Sequence, residues 1–257
     1  MRNRFWFAAA AMLLSMVSAC SREEPPKRTP PPDAKRVDAA KAGVVSGRVA
    51  VDGPLPANPP IQMNADPACA REHKGGVTFQ TYVSEAGGLG NVFVYVKDGL
   101  GSYYFDTPAE PVKLDQKGCQ YIPHVFGVQV GQNIEIVNSD PVMHNVHALG
   151  NVNPEFNFGQ PIQSQKDIKF FPAREVMVRF KCEVHNWMNA YVGVLDHPYF
   201  AVTSPTGQFE LKNLPAGTYT IEAWHERLGT QTQTVTLADN DSKAITFTFK
   251  SPAATAP

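Results

Sequence analysis

Charge of either sign is not in excess in this chain: its 257 residues carry a formal net charge of -1 at pH 7. That balance removes the electrostatic case for a nucleic-acid partner. Apolar runs are short, and Phe5 to Leu14 is too short to span a bilayer as a helix. No segment sustains a 3.6-residue apolar period, so any helix is short. None of the seven histidines opens a His-x-x-Glu zinc motif, and no Ser-His-Asp elbow motif occurs. With no such machinery in view, the chain is read as a non-enzyme. What is plentiful is Gly (19) and Pro (22), the punctuation of an all-β protein with many turns.

The first residues read as a targeting segment and stand outside the fold argument. Arg2 and Arg4 form a basic start, Phe5 to Leu14 follow, and then comes Val17-Ser18-Ala19-Cys20. This resembles the lipobox of bacterial lipoproteins, which implies removal of residues 1–20 up to a lipidated Cys20. A plain secretory signal is the alternative, and either places the protein outside the cytoplasm. The lipoprotein resemblance implies a membrane contact through the lipid, in a periplasm-facing envelope location. Ser21 rather than Asp after the Cys leans towards the outer membrane. Residues 21–42 are rich in proline and charge and lack aromatics, so they are expected to be a disordered tether.

From residue 43 short strands follow one another, each rich in Val, Ile, Thr and aromatics. They include Val44–Val51, Asn91–Lys97, Val125–Val130, Asn133–Asn138, Met143–Leu149, Glu175–Lys181 and Ala190–Leu195. Phe209–Leu211, Thr218–Trp224, Thr232–Leu237 and Ala244–Phe249 complete the series, and the spacing points to β-sandwiches.

Four cysteines are present, and with Cys20 assigned to lipid an odd number remains. In an oxidising compartment one thiol is then kept from pairing. Cys182 lies in a loop with His and Met and is the natural metal ligand, which leaves Cys69 and Cys119 as the expected disulfide. A second metal site built from Cys69, His73, Cys119 and His124 is the competing reading.

Cys182-Glu-Val-His185-Asn-Trp-Met188 sets a thiolate, an imidazole and a thioether within one short loop. Soft sulfur with imidazole selects copper. A second imidazole comes from Asn138-Ser-Asp-Pro-Val-Met-His144-Asn-Val, at the start of a strand. Together these segments resemble the cupredoxins, and Cys-x2-His-x2-Met is similar to the short ligand loop of amicyanin-type members. The resemblance spans about Tyr121 to Asp196. It implies a Greek-key β-sandwich over residues 111–197 and one copper ion held by His144, Cys182, His185 and Met188. It also implies that Asn145 ties the two ligand loops together. Trp187 is either an apolar rim around an exposed His185 edge or a core residue. On a strand, His147 faces away from His144, so it is not expected among the ligands. His124 is within reach of the metal region but is likewise expected to be bland, and Glu183 is the hard-ligand alternative to Met188, with its side chain expected to point away from the ion.

Phe209-Glu-Leu-Lys-Asn-Leu-Pro-Ala-Gly-Thr-Tyr-Thr-Ile-Glu-Ala-Trp224 resembles the carboxypeptidase regulatory-like domain, a small transthyretin-like (prealbumin-like) β-sandwich. Residues 198–250 match that pattern, with 251–257 a tail. Residues 43–110 are expected to supply its missing strands, so that the copper domain is inserted into it; two consecutive domains are the alternative. His197 and His225 are read as structural. The function expected is single-electron transfer with a partner protein. Copper binding or delivery without redox turnover, an accessory role in an envelope complex, and a copper enzyme with a second ion built between subunits are the alternatives, with a purely structural surface module disfavoured by the ligand set.

Overall fold

The computed structural model describes Pro25 and residues 28–252; Cys20, its lipobox and the last five residues lie outside the described residues. β1 (Gly43–Asp52) and β2 (Phe93–Asp98) come first, with α1 (Pro67–Glu72) between them. Nine strands follow: β3 (Val112–Gln116), β4 (Tyr121–Ile122), β5 (Val125–Gln129), β6 (Ile134–Asn138), β7 (His144–Leu149), β8 (Phe156–Gln160), β9 (Lys166–Lys169), β10 (Glu175–Lys181) and β11 (Asn189–Leu195). The last five are β12 (Phe200–Val202), β13 (Gln208–Leu214), β14 (Gly217–His225), β15 (Gly229–Leu237) and β16 (Ser242–Lys250). The all-β class read from the sequence is the class observed. Among the described residues no helix is long and apolar enough to cross a membrane.

Alternation builds the strands. In β13, Phe209 and Leu211 point inward while Gln208, Glu210 and Lys212 are exposed; in β16, Phe247 and Phe249 point inward between exposed threonines and Lys250. Two sandwiches result. The outer one faces sheet β13-β1-β16 against β12-β2-β14-β15, around Val45, Val49, Val94, Ile221 and Phe247. The inner one faces β5-β11-β10-β7-β8 against β4-β3-β6-β9, around Leu114, Ile136, Phe171, Phe180 and Val192. β1 pairs antiparallel with β13 and parallel with β16, while β2 pairs with β12 and β14. The outer sandwich is thus made of chain on either side of the inner one, which is inserted between β2 and β12.

The sandwiches meet on aromatic rings laid over bare backbone. Gly127 of β5 is the register partner of Gly193 of β11. Phe93 and Phe200 of the outer sandwich stack at 5.6 Å over this pair. A Cβ on Gly193 would lie 2.3 Å from the Phe93 ring, and one on Gly127 2.4 Å from Phe200. Glycine is required here by close approach. Glu226, just past β14, accepts a hydrogen bond from His124 Nε2 at 2.5 Å across the same junction.

The β1–β2 connection does not stay with the outer sandwich. Ile61 and Phe79 donate backbone hydrogen bonds to Val77 and Pro59, closing the base of a loop, 62–76. The loop carries α1 and lies on the inner sandwich, burying Met63 and Cys69 in its core. Asp66 starts the helix as a side-chain cap for the N–H groups of Ala68 and Cys69, with Pro67 following.

Candidate metal centre

His144 opens β7 after a turn tied by Asn138. The Asn138 Oδ1 accepts from Asp140 N–H, and its Nδ2 donates to Val142 O and Gln160 O. Between β10 and β11 the loop closes on itself: Cys182 N–H donates to Met188 O at 3.3 Å and Met188 N–H to His185 O at 2.9 Å. These two segments bring a ring nitrogen of His144, Cys182 Sγ and a ring nitrogen of His185 within 4.8 Å of one another. The two Nδ1 atoms are 3.0 Å apart and Cys182 Sγ is 3.8 Å from His185 Nδ1. A metal bonding nitrogen at about 2.0–2.1 Å and sulfur at about 2.3 Å spans such gaps. All three residues are buried, as is Met188, whose side chain belongs to the same apolar cluster as Cys182.

The ring orientation is set from behind. His144 Nε2 donates to Asp140 Oδ2 at 2.8 Å, and His185 Nε2 donates to Asp66 Oδ2 at 3.1 Å. Each carboxylate accepts from Nε2–H, which turns each Nδ1 towards the other ring and towards Cys182 Sγ. Two lone pairs facing each other at this distance repel unless a cation or proton stands between them. The chemistry of this donor set therefore fits a soft metal ion such as copper.

Cys182 is prepared in the same way. Burial alone would raise its thiol. Hydrogen bonds with His144 and His185, and the N–H groups of Asn145 and His185 at 3.3 Å each, outweigh burial and bring it down to about 6. Burial also opposes the charge on His144, but its bonds to Asp140 and Cys182 raise it overall. The Asp140 carboxyl is held low despite burial by His144 and by the N–H groups of Cys119 and Gly118.

The remaining residues named from the sequence fall in two groups. Asn145 Oδ1 accepts from Glu183 N–H at 3.2 Å, joining the His144 strand to the Cys182 loop. Trp187 packs 5.0 Å from the His185 ring and donates to Cys119 O at 3.0 Å. Cys69 and Cys119 are disulfide-bonded, and Cys182 is the free, buried thiol among the described cysteines. A metal site from Cys69, His73, Cys119 and His124 therefore does not form; His73 bonds Gly118 O and His124 bonds Asn189 O and Glu226. His147 sits between Glu155 and Glu183, away from the cluster. His197 donates to Val96 O, and His225 Nδ1 accepts from two backbone N–H groups.

Three features escape the sequence reading. Asp140, in the turn four residues before His144, could have been flagged by its place on the His side of the turn. Tyr121, whose hydroxyl donates to Asn145 O and Lys181 O, clasps both ligand strands. Asp66 comes from the connection assigned to the other sandwich. It closes the exposed His185 edge that one reading of Trp187 supposed: His185 is only 2% exposed, with Asp66 and Cys69 Sγ, 3.6 Å away, over its Nε2.

Residues 188–250 match the family model of the carboxypeptidase regulatory-like domain. In the structure that span begins with β11 of the inner sandwich and continues through β12–β16 of the outer one. No curated protein matches the chain. Among solved structures, similar ones include an amicyanin mutant in its Cu(I) form, at 22% identity and a TM-score of 0.30, covering 34% of this chain and 85% of that one. A copper-containing nitrite reductase from Thermus scotoductus SA-01 is 19% identical with a TM-score of 0.30, over 36% of this chain and 24% of that one. A purple cupredoxin from Nitrosopumilus maritimus is 18% identical with a TM-score of 0.27, over 32% of this chain and 98% of its own. The chain is thus an all-β protein whose residues 188–250 match the carboxypeptidase regulatory-like domain.

Proposed function

We propose that this chain holds one copper ion with His144, Cys182, His185 and Met188 and passes single electrons in the cell envelope. The observation that carries this reading is the meeting of two imidazole Nδ1 atoms and the buried Cys182 sulfur at one point. Copper bound there would supply a Cu(I)/Cu(II) couple in a soft nitrogen and sulfur donor set that suits both states. The chain's own residues do the rest. Asp140 and Asp66 fix the imidazoles, two backbone N–H groups hold the thiolate, and burial keeps water from the donors. Because these groups are already in place, little reorganisation accompanies a change of charge. The proposal includes no substrate turnover, a redox partner protein, and anchoring through lipidated Cys20 in a periplasm-facing membrane. The covered edge of His185 favours a second reading, copper holding and delivery, because it closes one face to a docking partner.

Titration with Cu(II) of the chain lacking residues 1–20, followed by optical and paramagnetic-resonance spectra, tests this. An intense visible thiolate-to-copper band with narrow hyperfine splitting, lost in Cys182→Ser, is expected. A weak spectrum indifferent to that substitution would overturn the four-residue site. Reversible voltammetry against transfer of Cu(I) to an acceptor chelator separates the two readings.

A further inference from the structure

Loop 62–76 belongs by chain connection to the outer sandwich, yet three of its side chains close the metal centre of the inner one. Asp66 Oδ2 accepts from His185 Nε2, Cys69 is bonded to Cys119, and His73 Nε2 lies 2.7 Å from Gly118 O. Met63 is buried in the inner core beside them. The base of the loop is shut by its own backbone bonds between residues 59–61 and 77–79, so the loop is a self-contained unit. The disulfide also reaches the other imidazole. Cys119 N–H and Gly118 N–H donate to the two oxygens of Asp140, which holds His144. One covalent link therefore sits between the two carboxylates that orient the two ligand rings.

We propose that Asp66 is a positioning residue for His185, and that loop 62–76, stapled by Cys69–Cys119, is a lid that completes the copper centre and limits access to it. This rests on the copper reading given above. Asp66 uses its two oxygens differently. Oδ1 caps α1 and Oδ2 holds the imidazole, so asparagine retains the cap and loses the charged acceptor. With the lid closed, His185 keeps its proton on Nε2 and its lone pair on Nδ1, and neither a chelator nor a docking protein meets its outer edge. The outer sandwich is then part of the metal centre rather than an appendage to it.

The experiment compares the wild-type chain lacking residues 1–20 with Asp66→Asn and with the double variant Cys69→Ser/Cys119→Ser. In the metal-free proteins, nitrogen-resolved NMR of the His185 ring reads the tautomer without any copper. A single Nε2–H form is expected in the wild type, and a mixed or exchange-broadened ring in both variants. In the copper-loaded proteins, extraction of Cu(I) by a chelator should be at least tenfold faster in both variants, and the reduction potential of Asp66→Asn should rise as the ligand ring loses its anionic partner. Because asparagine keeps the helix cap, a folded Asp66→Asn with unchanged tautomer, extraction rate and potential overturns the proposal, whatever the double variant does. If the wild type binds no copper but its ring tautomer depends on Asp66, the copper reading fails while the positioning of His185 stands.

Discussion

At the residue scale the centre is a set of committed protons. Asp140 takes three donors, from Gly118, Cys119 and His144. Asparagine offers one acceptor oxygen in its place and turns two N–H groups towards other donors. Asp140→Asn should lower copper affinity about 10–100-fold in a competition titration and cost about 1–3 kcal/mol in urea unfolding. Cys182 gives a second readout. Its thiol is held near 6 against burial by hydrogen bonds with both histidines and with two backbone N–H groups. The ultraviolet thiolate absorbance of the metal-free protein should therefore rise through a midpoint of about 6; a midpoint near the ordinary thiol value would contradict the geometry. The meeting of Cys182 and His185 with His144 was legible because the first two share one short loop and His144 stands in a recognisable setting. Asp66 was not: it lies 119 residues from His185 and its type is common in turns.

At the element scale, strands with a regular inward face could be read even at sheet edges, as in β13 and β16, whereas strands with few buried residues could not. β8, Phe156–Gln160, and β9, Lys166–Lys169, are edge strands with few buried residues, so their sequences carry little pattern. α1 is too short for a helical period, although Asp66-Pro67 is a start signal in its own right. The central strands carry the stability. Phe180 of β10 contacts the rings of Tyr121, Phe126, Phe156 and Phe171. Phe180→Ala should cost about 3–5 kcal/mol and loosen the Tyr121 clasp on both ligand strands, read as a lower denaturant midpoint together with a broadened copper spectrum.

At the scale of the whole molecule, the two sandwiches share a junction that sequence patterning could not show, because Gly127 and Gly193 signal only weakness in a strand until a ring is seen resting on them. Gly193→Ala should force Phe93 aside, cost about 1–3 kcal/mol, and raise protease sensitivity at the junction. Acid should act on the outer sandwich. Burial holds the His225 imidazole down to about 4, whereas an unfolded histidine titrates near 6.5, at about its ordinary value. The unfolded chain thus binds more protons between those values. Stability falls as pH drops through that window, by on the order of 3 kcal/mol at its acid end; His225→Gln should flatten the fall in urea midpoints. The parallel pairing of Val44 with Ser242 also sets a timetable. A chain made from its N-terminus has all nine inner strands out before β16 exists, so β1 waits without that neighbour while the inner sandwich closes. Cys69 and Cys119 emerge before Cys182, and once they have joined, the last thiol arrives with neither left to capture it. Birth order, as well as final geometry, leaves one sulfur unpaired among the described cysteines.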